Sequence, residues 1–397
     1  MTRTANDRFE WLRAAAATGA VHTVRASFAD RLGHWRGKRI PAEHFVEHPG
    51  HTIGFCDGML VCDVRCDVIE DTPYTNYGTG YPDFDVRFDL ARLRPVGWID
   101  GEAYVFGDPI DHDGQPSPVS PRHVLQHVLG RLNAQRIKAR VGFELGGRFM
   151  HDPFRPALIP AGGLQPGDEI GALTRLGRGL QASEIPIMSI AGGREAGAFR
   201  LGLGVDEPMT SAEAVVVAKG AAKEIARQSG VTASFMTNQR GATQLSLLEA
   251  TIELETAKPT NLNAEAIRSR LVEVRPLLQP SANAFKIGVP AVPDVDVNGS
   301  RIHIGRLTAS SEADPFTVTA AVLAAISVAL GSDGIAASTS PTDTLGAAAT
   351  HLSGIAWPTD WLGAAFVANS IPLLLREDIL HRSNVTDWEI ERYWSTA

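Results

Sequence analysis

Apolar positions recur along this chain at two different spacings. From Pro121 to Lys138, Val124, Leu125, Val128, Leu129 and Leu132 fall three and four apart, which predicts a helix with one buried face. The segment after it, Val141 to Phe149, reads as a strand whose Gly142, Glu144, Gly146 and Arg148 share one face. Ser211 to Gly230 predicts a second long helix, opened by Ser and closed by Gly, and Thr342–Ser353 and Asp387–Trp394 predict later ones. Val318 to Leu330 is Ala/Val-rich and too short to span a bilayer, so it reads as a buried helix ended by Gly331. Up to about residue 115 the punctuation differs: Pro49-Gly50, Asp57-Gly58, Asp100-Gly101 and Asp113-Gly114 separate short runs such as Ala103–Phe106. Pro290 to Ser300 reads as a flexible loop ending in an Asn-Gly turn before a strand. These patterns give an α+β chain. A small strand-rich, β-grasp-like domain spans 1–118, and a larger domain alternating helices with strands spans 119–397.

Composition narrows the function classes. A chain of 397 residues with 44% hydrophobic content is long enough for two packed domains. The formal net charge of -8 argues against general affinity for nucleic acid. The polar start, Met1 to Glu10, and the lack of any bilayer-length apolar run lead to the expectation of a cytoplasmic protein without membrane association. Cys62 and Cys66 alternate onto one face of a strand after the Cys56-Asp57-Gly58 turn, so the cysteines read as small core residues rather than zinc ligands or a disulfide. His123 and His127, four apart on the first long helix, lack an acidic third partner for a metal. Glu144 is followed two residues later by Gly146 and then by Arg148. A divalent-metal cluster needs several converging carboxylates, and this strand offers one, with Arg148 as its simplest ion-pair partner.

Several segments, taken in order, resemble the glutamine synthetase family. Leu32-Gly33-His34-Trp35-Arg36-Gly37-Lys38-Arg39-Ile40-Pro41 is similar to the family's opening strand turn. Tyr77-Gly78-Thr79-Gly80-Tyr81-Pro82-Asp83 is similar to a loop that reaches toward a neighbouring subunit's active site. Asp89, Leu93-Arg94-Pro95 and Trp98, then Asp113-Gly114-Gln115-Pro116 and Ser120-Pro121-Arg122, resemble the link into the catalytic domain. Asp314-Pro315-Phe316 stands where the family has Asn-Pro-Tyr, and the tail from Leu362 to Tyr393 is also similar. The resemblance implies a glutamine-synthetase-type catalytic domain, a curved antiparallel sheet with flanking helices, working in a ring with active sites between subunits. Its reaction is phosphoryl transfer from ATP to a carboxylate, followed by attack of an amine.

The positions that carry this chemistry differ. Where the family reads Glu-x-Glu, the chain has Glu144 and then Gly146. The second carboxylate pair falls on Gly193 and Arg200, with Glu195 out of register. Gln244 to Glu249 lacks both expected histidines, Ser234 to Gln239 lacks a lysine, and Asn283-Ala284-Phe285-Lys286-Ile287 lacks an arginine. Arg301 to Arg306 lacks a Glu. Phosphoryl transfer rests on positioning and on cations that neutralise phosphate oxygens, so such losses point away from ordinary glutamine synthesis. The resulting expectation is a pseudoenzyme, a regulatory or binding subunit, or a metal-independent enzyme, with a small anionic or amino-acid-like ligand and a homo-oligomeric or mixed ring. Candidate catalytic residues are Glu144 and His303; candidate ligand-binding residues are Arg148, Arg200, Arg306, Asn238 and Tyr77, with no metal ligands. No cofactor is expected; ATP with Mg or Mn enters only under the alternative, an ATP-dependent amide or γ-glutamyl ligase with substituted residues.

Overall fold

The computed structural model describes residues 4–48, 50, 52–70, 72–157, 171–240, 242–258, 262–331, 342–387, 389 and 392. It is an α+β protein built on two sheets. The N-terminal sheet uses β1 (Thr23–Ala29), β2 (Trp35–Pro41), β3 (Ile53–Cys56), β4 (Asp83–Phe88), β5 (Arg94–Pro95) and β6 (Glu102–Ile110), in the order β2-β1-β6-β4-β3, with β5 also on β6. β1 and β6 run parallel and the other pairs antiparallel. Helices α1 (Ala5–Ala17) and α2 (Ala42–Glu47) cover one face of this sheet, burying Leu12, Ala16 and Phe45 against Val24 and Val105.

The second sheet is wholly antiparallel. Its main path is β13 (Asp294–Asn298), β14 (Arg301–Ser310), β12 (Leu247–Glu255), β7 (Lys138–Asp152), β10 (Ala198–Asp206) and β9 (Ile187–Gly192). Short strands β8 (Arg155–Pro156) and β11 (Thr232–Ser234) also pair with β7. One face of β7, with Val141, Phe143, Leu145 and Phe149, is buried against helices in the main core. Those helices are α3 (Pro121–Ala134), α4 (Ala172–Ala182), α5 (Pro208–Gln228), α6 (Ala264–Glu273), α7 (Arg275–Leu278) and α8 (Pro315–Leu330), followed by α9 (Leu345–Ser353), α10 (Ala356–Leu362) and α11 (Ala364–Ser383). The Ala/Val-rich α8 is buried almost throughout and capped by Gly331. Among the described residues no helix is long and apolar enough to cross a membrane.

The contacts between the N-terminal sheet and the helices of the second layer include two at which packing is close. Trp35 of β2 lies over Gly220 of α5, where a Cβ would stand 2.6 Å from the indole, so only glycine lets the indole sit this close. Arg122, 2% exposed, pairs with Asp108 of β6 at 2.7 Å and with Glu213 of α5, and its guanidinium lies 5.4 Å from the Phe316 ring centre.

Two local expectations change. Residues 294–298 form β13 rather than a loop, because Val295 and Val297 alternate with polar residues and pair with β14; Asn298 opposes Arg301 across a tight turn in which Gly299 has φ of +64°. Cys62 is buried, but Cys56 and Cys66 are exposed. The Cys62–Cys66 stretch is a turn, held by Asp63 accepting from the backbone N–H groups of Arg65 and Asp67, with Cys66 at φ of +66°. The helix expected over 387–394 lies largely outside the described residues.

Candidate functional site on the open sheet face

The face of β7 turned away from the helices carries Gly142, Glu144, Gly146 and Arg148, because strand alternation puts their neighbours in the core. Register then fixes what surrounds each one. Glu144 stands opposite Glu249 of β12 and Gly202 of β10. Directly opposed residues share a face with Cβ atoms about 5 Å apart, so Glu144 and Glu249 form a carboxylate pair. Arg200, one step along β10, reaches across to Glu144 at 2.7 Å. Glu249 has no ion pair or hydrogen bond among the described residues, although like charges so placed repel. The arrangement is half-exposed, with two acids and one base converging over glycine.

Further along β7 the face is closed. Arg148 is buried and held by Glu195 at 2.9 Å, by the Ala196 carbonyl at 2.9 Å and by the Gln244 carbonyl at 3.3 Å. Glu195 also accepts from the Thr243 hydroxyl and from the backbone N–H groups of Thr243 and Gln244. Those Thr243 bonds, with Arg148, pull the Glu195 carboxyl down to about 2. Arg148 therefore pairs with Glu195, not with Glu144, and its charge is spent on fixing the 195–197 turn.

The glycines that stand where carboxylates were expected are closely packed. A Cβ on Gly193 would lie 2.7 Å from the Gln244 side-chain amide and 2.7 Å from the Ala198 Cβ. Gln244 is itself fixed there by the Arg194 N–H at 2.7 Å. A Cβ on Gly146 would lie 3.0 Å from the backbone nitrogen and 3.2 Å from the carbonyl oxygen of Leu247. Among the described residues, this face thus offers a divalent metal the Glu144–Glu249 pair, with Arg200 already bonded to it. That donor set does not fit a carboxylate-held metal cluster.

The remaining candidates are spread out. His303 opposes Glu253 of β12 and Asp296 of β13, four residues along β12 from Glu249, about 13 Å away. It lines a separate groove of about 780 Å³ with Arg140, Glu253 and Arg301. Arg306 is exposed, sits at φ of +58° beside the β12–β14 irregularity, and lies 3.4 Å from Asp294. Asn238 exchanges hydrogen bonds with Asn283, donating from its side chain to the Asn283 carbonyl at 2.7 Å and receiving from the Asn283 amide at 3.0 Å. Tyr77 is 74% exposed in the segment between β3 and β4, edge-on to Tyr81, outside the eight-stranded sheet. The structure therefore brings together Glu144 and Arg200, and leaves the other candidates elsewhere. Glu249 is the residue sequence reasoning passed over. Its signal was present: Glu249, Thr251, Glu253 and Glu255 alternate with Leu248, Ala250, Ile252 and Leu254.

No protein-family model matches the chain. It is 28% identical over 242 residues to a gamma-glutamylethanolamide synthetase of Streptomyces coelicolor, covering 57% of this chain and 52% of that protein. It is 25% identical over 238 residues to a glutamate–isopropylamine ligase of a Pseudomonas species, covering 54% and 50%. It is 24% identical over 227 residues to type-1 glutamine synthetase 2 of Dictyostelium discoideum, covering 54% and 43%. The chain spans about half the length of the curated relatives it matches. Its fold is that of ligand-free GmaS, with a TM-score of 0.78 over 100% of both chains at 17% identity. A glutamine synthase homolog gives 0.77 over 94% of this chain and 98% of the other, at 16% identity. In sequence over about half its length, and in fold over nearly all of it, this chain is similar to proteins of the glutamine synthetase family.

Proposed function

We propose that this chain binds an amino-acid-like ligand on the open sheet face and does not carry out metal-dependent phosphoryl transfer from ATP. It acts as a binding or regulatory subunit. The observation that carries this reading is the filled space at Gly193, where Gln244 stands in place of a ligating side chain. Glu144 and Glu249 suit an ammonium group, and Arg200 beside them suits a carboxylate, so a zwitterion matches the charges without a metal. Arg148 does not contribute, because Glu195 neutralises it. The test is calorimetric titration of the chain with ATP and ADP, with and without Mg²⁺ or Mn²⁺, and with glutamate alone. Glutamate binding without nucleotide binding supports the reading; metal-dependent nucleotide binding overturns it.

A second reading has its own support. The relatives matched at 28% and 25% identity are named as ligases that join amines to glutamate. Under it the chain is an ATP-dependent γ-glutamyl ligase whose metal ligands come from residues other than those lost. Metal-dependent nucleotide binding together with amide formation from glutamate and an amine is the outcome that selects it.

A further inference from the structure

On the side of α5 that faces the N-terminal domain lies a cavity of about 270 Å³. It is closed by the β1–β2 turn and the 63–69 segment on one side, and by α5, the β14–α8 connection and α11 on the other. We propose that this cavity, with Arg31, Lys219, Lys223 and Arg376 in its wall, binds a small dianionic metabolite, a dicarboxylate or a phosphate ester.

The argument rests on which charges already have partners. Lys219 is 7% exposed and donates only to the Ala313 carbonyl, at 2.9 Å, which leaves two of its N–H groups unused. Arg31, Lys223 and Arg376 make no hydrogen bond or ion pair among the described residues. The acids of the same wall are served by neutral donors. Glu312 accepts from the Thr237 N–H at 2.7 Å and from the Ser281 hydroxyl, and Asp63 from the backbone of its own turn. Burial pushes the Glu377 carboxyl upward, while the Ala282 backbone N–H and Arg31 oppose the shift. Behind the wall, Asp30 pairs with Arg36 at 2.8 Å and lies 3.1 Å from the His34 ring nitrogen. Four cations of the wall thus face three carboxylates, Asp63, Glu312 and Glu377, and a buried ammonium with unmet donors favours an anion. Leu32, Phe235, Met236, Pro280, Leu373 and Leu380 give the cavity apolar surface for a short carbon skeleton. An adjoining cleft of about 450 Å³ shares His34, Val64, Lys219 and Lys223 and continues the positive surface past Arg36 and Arg227. Because the β1–β2 turn and α5 both supply walls, an occupant would tie them together.

The test is isothermal titration of the full chain with inorganic phosphate and, separately, with succinate, at low ionic strength. Saturable binding of either probe supports the site if Lys223→Gln/Arg376→Gln weakens it tenfold or more while the charge-matched control Arg87→Gln/Lys258→Gln does not. Both altered pairs are exposed, so neither should disturb the core. The probe that binds tells a phosphate source from a dicarboxylate one. Failure of both probes to saturate, equal weakening in the control, or binding that survives the Lys223/Arg376 pair overturns the proposal.

Discussion

Asp314 provides a quantitative test of how burial acts in this core. It is 2% exposed and caps α8, its Oδ2 accepting from the Thr317 N–H at 2.6 Å. Its Oδ1 is buried without a partner among the described residues. Burial, only partly opposed by the Thr317 bonds and by Lys219, pushes the carboxyl from 3.8 up to about 7. A carboxyl whose folded pKa lies above its unfolded one contributes stability that is complete below the unfolded value and lost as pH rises through the folded value. At 1.36 kcal/mol per unit the loss between pH 4 and pH 7 is about 4 kcal/mol if the whole shift is realised. Lys219 shifts in the opposite sense, lowered by burial from 10.5 to about 8, so stability recovers above pH 8 as it sheds its proton. The value of about 7 already includes the attraction of Lys219, and over the narrower interval from pH 5 to 7.5 the loss is about 2 kcal/mol. Asp314→Asn keeps an oxygen for the Thr317 N–H and removes the ionisation. Urea unfolding midpoints of parent and variant, compared from pH 5 to 7.5, cancel every other titration common to both. The variant should gain about 2 kcal/mol on the parent across that interval. Parallel curves within about 0.5 kcal/mol would refute the argument that Asp314 is held neutral by burial.

Arg122→Ala leaves Glu213 and Asp108 without their cation between the N-terminal sheet and α5 and should cost about 3–5 kcal/mol in chemical denaturation. Gly193→Ala drives a methyl group into Gln244 and Ala198, and is expected to lower stability by about 1–3 kcal/mol, read as a depressed melting temperature. Glu249→Gln should leave the melting temperature unchanged or slightly raised, since the side chain has no partner to lose and its charge opposes Glu144, but weaken glutamate binding about tenfold in calorimetry. Gly220→Ala pushes a methyl group into the Trp35 indole and should cost about 1–3 kcal/mol, with a changed Trp fluorescence spectrum as the local readout.

The elements that position the site were legible in the sequence because each carries a local signal. The 3.6-residue spacing of Val124 to Leu132 predicted α3, and strand alternation put Glu144 and Arg148 on one face of β7. What stayed hidden was which charge meets which. Arg148 and Glu144 share a face of one strand but stand four residues, about 13 Å, apart; their partners, Glu195 and Arg200, arrive from the turn before β10 and from β10 itself. Register between strands depends on contacts distant in sequence, and no local pattern encodes it. The same limit concealed Glu249, whose position opposite Glu144 follows only from the β7–β12 pairing. It also concealed the cavity beside α5, whose cations come from segments as far apart as Arg31 and Arg376.

The filled glycine positions bear on which functional reading stands. If Gly193 and Gly146 were simple losses over an intact cavity, replacing each with Glu would rebuild a carboxylate cluster beside Glu144. The surroundings do not permit that. At Gly193 the incoming side chain must displace Gln244, whose oxygen holds the Arg194 N–H and whose backbone serves both Arg148 and Glu195. At Gly146 it must push the paired strands β7 and β12 away from each other at Leu247, and the Gly146 carbonyl is already engaged by the Ser311 hydroxyl at 2.8 Å. Each reversion breaks a bonded network before it offers a ligand, so the effects would compound rather than add. Gly146→Glu/Gly193→Glu should therefore bind Mn²⁺ no better than the parent chain in an electron paramagnetic resonance titration, and should melt at lower temperature. Tight Mn²⁺ binding by a folded double variant would mean that the site was merely emptied, and would return metal-dependent ligase chemistry to first place.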